Sequence, residues 1–396
     1  MDQWVWPAYV GIFGGVVVFA AVFVPALAVQ MRRYGRLSLP RLLGTAALAV
    51  YGVALVAYTM LPMPSGDVAA WCAQYATDGA QLRPFQFVDD IRSGTAGLGL
   101  KATLTSTVVL QVVFNVALFV PLGFFARRFL GRGVIVSTLL GAATSLLIEV
   151  TQYTGIYGLI PCSYRVADVD DLMANTAGAL IGALIAPLLL GWMPQTRELA
   201  RTRLTPRPVT TWRRWAGMLI DAAAAIALGA VLVISLRFIR AGAGQHVTPG
   251  DLELTEWVLQ YPVPFLIVFT APALFGSGAS LGQRLVWLRP VTSGGALPGH
   301  GRLLARAWAT GGLWLALLAA AGAPELPEDA ATALDRAAVL VAIAAALAVI
   351  GGTHRGLSGM VTGLHMVDAR PDVQDNAQSD PPQNQRLPRT PGDGTP

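Results

Sequence analysis

The chain has 396 residues, 54% of them hydrophobic and only 13% charged, with a formal net charge of +5. A soluble globular domain carries about 25% charged residues, so this balance excludes an ordinary water-soluble fold and points to a membrane protein. The basic excess is arginine apart from Lys101, and it falls between apolar runs, as topology signals do, which argues against a nucleic-acid partner.

A helix crossing lipid needs about 20 apolar residues, and in lipid its backbone groups must be paired internally. Nine runs fit, at roughly 7–29, 41–62, 106–126, 134–156, 171–192, 215–236, 257–276, 303–323 and 336–352. The first is too long for the apolar region of a cleavable signal peptide and follows Asp2 rather than a basic cluster. Arginines crowd alternate connections: Arg32, Arg33, Arg36 and Arg41; Arg127, Arg128 and Arg132; Arg197 to Arg214; Arg284 to Arg306. The other loops are acidic or mixed, carrying Asp67, Asp78, Asp89 and Asp90, then Asp251, Glu253 and Glu256, then Glu325, Glu328 and Asp329. The positive-inside rule therefore puts the N-terminus outside and the C-terminus in the cytoplasm of a multi-pass protein of the cell membrane.

Residues 193–212 are polar and hold three prolines, Pro194, Pro206 and Pro208. They divide the chain into a five-helix membrane domain, 1–192, and a four-helix one, 213–367. The fold expected is all-α, a polytopic bundle pair of about nine transmembrane helices. The stretch 368–396 is rich in Pro, Asp, Gln and Asn and reads as a disordered cytoplasmic tail.

The first unit gathers polar residues at a membrane edge. Asn115 precedes Pro121-Leu122-Gly123, and Pro121 is expected to kink or end its helix. Glu149 and Gln152 lie three apart on one helical face. Arg165, Asp168, Asp170 and Asp171 then lead into the next apolar run, with Asn175 one turn inside it. Charge is costly at this depth, so the cluster is a candidate site. In a purely structural reading Arg165 pairs with Glu149, Asp168 or Asp171 caps the following helix, and Asn175 turns inward towards Asn115. In the functional reading the acids and arginine hold a polar head group or a cation. Four histidines, His246, His300, His354 and His365, are scattered, and neither a serine–histidine pair nor metal-ligand spacing occurs. No catalytic residue, metal or cofactor is expected, and the chain is not read as an enzyme.

These residues, from Asn115 through Glu149, Gln152, Arg165, Asp168, Asp170-Asp171, Asn175-Thr176 to Gly178, resemble the VanZ-like family of bacterial membrane proteins over about residues 40–190. The resemblance implies an envelope protein accessory to glycopeptide resistance of the teicoplanin type. Its implied partners are the bilayer and a lipid head group, cell-wall precursor or lipoglycopeptide. In the second unit, Arg214 and Asp221 share a helix face, and Arg306 opens a later helix. This set, with Arg213 as the alternative arginine, resembles the RDD family of small membrane domains, although Gly359 stands where that family's second aspartate is expected. Asp221 is either a membrane aspartate neutralised by Arg214 or protonated by desolvation, or an ion or proton relay. An ion-coupled carrier and a structural partner of envelope enzymes are the alternative functions.

Cys72 and Cys162 both fall in loops placed outside, where disulfides persist, so a bridge is favoured over two small apolar side chains at the interface. The orientation is checked by labelling intact cells after both cysteines are replaced. An Arg36→Cys thiol should resist a membrane-impermeant reagent and an Asp89→Cys thiol should react; the reverse pattern would invert the topology.

Overall fold

The protein is described by a computed structural model covering residues 2–64, 66–76, 79–189, 191–242, 253–323, 326–351 and 354–370. It divides into two compact units. One comprises Met1–Gln30 with Leu37–Arg201, the other Met31–Arg36 with Thr202–Pro396. Among the described residues eight helices are long and apolar enough to cross a membrane. The chain is thus an all-α, polytopic helical membrane protein, and these helices meet the lipid bilayer.

In the first unit the spans are α1 (Asp2–Tyr34), α2 (Leu39–Met60), α6 (Thr107–Phe124), α7 (Val134–Tyr153) and α9 (Val169–Leu189). The long connection from α2 to α6 is structured by three short helices, α3 (Val68–Tyr75), α4 (Gln86–Gly94) and α5 (Leu100–Leu104). Asp67 caps α3 by accepting the Ala70 N–H at 3.0 Å, and Ser106 caps α6 through the Val109 N–H. Pro121 lies inside α6 without ending it; the helix runs on to Phe124 and then widens into a π-turn, Phe125–Phe129. After α7 the chain reverses through a left-handed turn, α8 (Gly155–Gly158), in which Gly155 has φ 57°. A side chain at Gly155 would overlap the carbonyl oxygens of Ile160 and Cys162, so only glycine fits. Strand β1 (Ala80–Gln81) pairs in parallel with β2 (Ala167–Asp168), and Cys72 is joined to Cys162 by a disulfide with Cα atoms 5.8 Å apart. The α2–α6 connection is therefore tied twice to the segment preceding α9. A last helix, α10 (Thr196–Arg201), follows.

Helices α6, α7 and α9 approach through small residues. A methyl at Gly123 would strike the Ala179 carbonyl oxygen, one at Gly178 the Val116 carbonyl, one at Gly182 the Val120 carbonyl, and one at Gly141 the Ala179 side chain. Close backbone contact of this kind replaces the hydrophobic drive that lipid cannot supply. Outward, large apolar side chains such as Leu188 (85% exposed) and Ile135 (76%) face the surroundings, as lipid-facing residues do.

The second unit contains α11 (Thr211–Gly242), a segmented span Leu254–Leu274 made of α12 (Leu254–Gln260), α13 (Pro262–Phe265), a π-turn and α14 (Ala271–Leu274), and α18 (Glu328–Leu347). The run expected at 303–323 is helical in three pieces, α16 (His300–Ala307), a π-turn Trp308–Gly312 and α17 (Leu313–Ala321). Helix α15 (Leu281–Leu285) and strand β3 (Leu288–Val291) precede α16, and α19 (Gly356–Thr362) and β4 (His365–Asp368) follow α18. Strands β3 and β4 pair antiparallel, Leu288 opposite Asp368. The expected tail thus begins later than residue 368: Asp368 to Arg370 belong to the fold, and residues 371–396 lie outside the described residues. His246 also lies outside them.

The glycine contacts make a paired prediction. Gly182→Leu should cost about 1–3 kcal/mol, because the α6 backbone must move to admit it. Gly52→Ala on α2, where an added methyl meets nothing within 4 Å, should be neutral or stabilising by up to about 1 kcal/mol. Thermal unfolding of the purified variants in detergent measures both.

Candidate functional site

Four acidic residues of the first unit meet where α7 ends and α9 begins, and each has a distinct partner. Glu149, on the last turns of α7, accepts the Asp168 backbone N–H at 3.0 Å. Asp168 accepts the Asp170 N–H at 2.8 Å, which caps α9, and the Gln81 Nε2 at 3.0 Å. Asp170, buried in the first turn of α9, accepts the Phe85 N–H at 2.6 Å and the Phe87 N–H at 2.8 Å. Asp171 accepts from the Asn115 Nδ2 across the α6–α9 contact. Phe85 has φ 65°, a left-handed backbone costly for a bulky residue. The two bonds to Asp170 hold it there and fix the start of α4.

The ion pair expected between Arg165 and Glu149 does not form. The Arg165 Nη2 donates instead to the Leu61 carbonyl oxygen at 2.8 Å, and among the described residues no carboxylate lies within 4.0 Å of its guanidinium. Leu61 is the C-terminal cap of α2. Terminal carbonyls of a helix lack intrahelical donors and carry its negative dipole end, so a cation there is well placed. Gln152 likewise donates to the Thr59 carbonyl, at 2.6 Å. Asn175 does turn inward, but its Nδ2 donates to Ser145 Oγ at 2.9 Å rather than meeting Asn115, and its Oδ1 is buried without a partner. Ser145 and Gln81 were missed from sequence. Ser145 had a signal: with Glu149 and Gln152 it forms an i, i+4, i+7 polar stripe on α7, and all three are buried. Gln81 had none, since it is one polar residue in a polar loop.

The site therefore concentrates carboxylates supported by neutral donors. Asp168 shows the consequence. Burial raises its pKa above the ordinary carboxylate value, the Asp170 N–H and Gln81 oppose that, and the Asp170 and Asp90 carboxylates add to it. Such an arrangement attracts a cation, a proton or a hydrogen-bond donor. Among the described residues no group of three or more His, Cys, Asp and Glu is placed to hold a metal ion.

In the second unit, Asp221 is buried on α11 and accepts from Ser280 Oγ and the Gly282 N–H, both at 2.6 Å. Arg214 does not neutralise it: its Nη2 donates to the Arg355 carbonyl at 3.2 Å, and its Nη1 is buried without a partner. Arg306 donates to Gln283 Oε1 at 2.8 Å, and Gly359 is buried in α19. Of the neighbouring pair Arg213 and Arg214, it is Arg213 that meets a carboxylate among the described residues. Its Nη1 reaches Asp368 at 2.8 Å, and its Nε and Nη2 reach the Val286 and Trp287 carbonyls. Asp368 also accepts from Arg370 Nη2 at 2.5 Å and from the Arg207 N–H at 2.9 Å. Burial pushes the Asp368 pKa up, but the bonds from Arg370 and Arg213 prevail and hold it well below the usual carboxylate range.

The architecture and this polar edge define a multi-pass helical membrane protein with a carboxylate-rich site at one end of its first bundle. Residues 48–190, which contain the whole of that site, match the family model described as VanZ/LLP1. Nothing in the comparisons supports an RDD domain in residues 207–370, so the resemblance of the second unit stays one of scattered residues. Neither the curated proteins nor the solved structures gave a match.

Asp368 carries a prediction. A group with a depressed folded pKa stabilises fully above its unfolded value, here 3.8, and that contribution is lost as pH falls through the folded value. Asp368→Asn should therefore cost about 3 kcal/mol at neutral pH, since it strands Arg213 and Arg370, and should remove the part of the acid destabilisation below pH 3.8 that Asp368 supplies. Unfolding midpoints measured from neutral pH downwards test both.

Proposed function

We propose that this chain is a cell-envelope membrane protein that lowers susceptibility to glycopeptide antibiotics, of the teicoplanin type in particular, through the polar site on the outer end of its first unit. The VanZ/LLP1 match over residues 48–190 supports the family role. The observation that carries the site is the convergence of Glu149, Asp168, Asp170 and Asp171 with, among the described residues, no arginine within ion-pair distance of any of them. Carboxylates bonded to amides rather than to guanidinium groups can still take up a proton, a cation or a further hydrogen bond, and a membrane edge lined this way suits a cationic or donor-rich group. The ligands that fit are a lipid head group, a cell-wall precursor or the lipoglycopeptide itself. The role is one of binding, with no reaction assigned. Outward orientation follows from arginine placement and agrees with a disulfide beside the site.

Drug susceptibility of a sensitive host tests this reading. Expression of the chain should raise the inhibitory concentration of a teicoplanin-type drug several-fold and leave that of an unrelated antibiotic unchanged. Glu149→Gln and Asp171→Asn should each abolish the effect at equal membrane abundance, while Gly52→Ala should keep it. No protection by an abundant, correctly inserted wild-type chain would overturn the proposal.

A further inference from the structure

The opposite end of the same helices carries a second concentration of charge. Gly133 starts α7 and Glu149 stands near its end, so at 1.5 Å per residue the two lie about 24 Å apart along one helix. Around Gly133 the first unit forms a cavity of about 410 Å³ lined by Arg127, Arg128, Arg132 and Arg197. The arginines come from three places: Arg127 and Arg128 from the π-turn that ends α6, Arg132 from the link to α7, and Arg197 from α10. The lining contains no carboxylate, and among the described residues Arg127, Arg132 and Arg197 take part in no ion pair. Arg128 is anchored by donating to the Gly191 carbonyl at 3.1 Å.

The backbone adds to the same sign. The first intrahelical bond of α7 runs from the Ser137 N–H to the Gly133 carbonyl at 3.0 Å. The N–H groups of Val134, Ile135 and Val136 therefore have no acceptor within the helix, and the positive end of a 20-residue helix points at the cavity. Guanidinium groups and a helix N-terminus gathered without a carboxylate give this end a positive potential that favours an anion. The cavity falls within the volume range of small-molecule sites, about 300–1,000 Å³, and guanidinium forks match the oxygens of phosphate bidentately. Ile135 and Leu188, close in sequence to the lining residues Gly133 and Pro187, are strongly exposed apolar side chains.

We propose that this arginine cavity binds a phosphate-bearing anion, either the head group of a phospholipid or a free phosphate or diphosphate. The site is independent of the polar edge near Glu149 and of the role assigned there. Positive-inside arginines alone would bind anionic surfaces diffusely and show no preference for phosphate. A built site discriminates.

The test uses the full chain in neutral detergent and three probes: short-chain phosphatidic acid, inorganic pyrophosphate, and a carboxylate-headed fatty acid of matched chain length. At least one phosphate probe should bind about tenfold tighter than the carboxylate, a difference of about 1.4 kcal/mol. Binding of phosphatidic acid alone assigns a lipid head group; binding of pyrophosphate as well assigns a soluble phosphate. Arg127→Gln with Arg197→Gln should remove the preference. Arg289→Gln with Arg336→Gln, equal in charge, exposed and on the other unit, should retain it. If the cavity pair does not fold, Arg132→Gln in its exposed link carries the test and should weaken phosphate binding measurably. Equal affinity for all three probes, or equal loss in the cavity and control variants, would overturn the proposal.

Discussion

The close backbone approach of α6 and α9 is the constraint on which the first unit depends. In lipid, helices gain little by burying apolar surface against one another, so contact must come from shape and from polar bonds. Gly123, Gly178 and Gly182 supply the shape, each leaving room for a carbonyl of the facing helix. That approach brings Asn115 within reach of Asp171. Gly141 extends the same contact to α7, where Ser145 meets Asn175 and Glu149 meets the start of α9. The polar site is therefore a product of helix packing: its donors and acceptors lie on three spans whose spacing the glycines set.

Above this packed layer, Asp170 links the spans to the connection that covers them. Its two carboxylate oxygens accept from Phe85 and Phe87, and Gln81 bonds its neighbour Asp168. The β1–β2 pairing and the Cys72–Cys162 disulfide hold the same connection from its other side. A connection fastened at several points loses little further entropy when a ligand settles beneath it, and preorganisation of this kind favours recognition. The bonds to Asp170 thereby fix the geometry of the site with neutral backbone donors.

The membrane helices and the polar edge were legible in the sequence because both rest on local signals. Apolar length identifies a span, and an acid or amide interrupting such a run is costly enough to stand out. Partners were less legible. Reasoning from charge assigns each arginine to an acid, as with Arg165 and Glu149. The structure sends arginines to backbone carbonyls instead: Arg165 to Leu61, Arg41 to Phe129 and Pro194, Arg128 to Gly191. Helix ends in a membrane protein expose several unpaired carbonyls each, and a guanidinium with five donors can satisfy more than one. Backbone acceptors carry no side-chain signature, so the sequence does not announce them. The same blindness hid the partners of Asp170, which are amides 85 and 83 residues away.

The second unit shows the two effects together. Asp221 and Arg214 lie on one helix at a spacing that puts them on one face, yet the nearer solution for Asp221 is the Ser280 hydroxyl and the Gly282 amide at the start of α15. Gly282 permits this because a side chain there would collide with the Gly217 carbonyl and with Asp221 itself. Close approach thus lets a helix-terminal amide serve as counter-charge, and Arg214 turns to the Arg355 carbonyl. Asp368, an acid that does recruit guanidinium groups, sits in a stretch whose composition resembles a disordered tail. Composition averages over a window, whereas order here depends on one carboxylate shared by Arg213 and Arg370 and on the pairing of β4 with β3. A boundary drawn from composition will fall short wherever a single buried charge closes the fold.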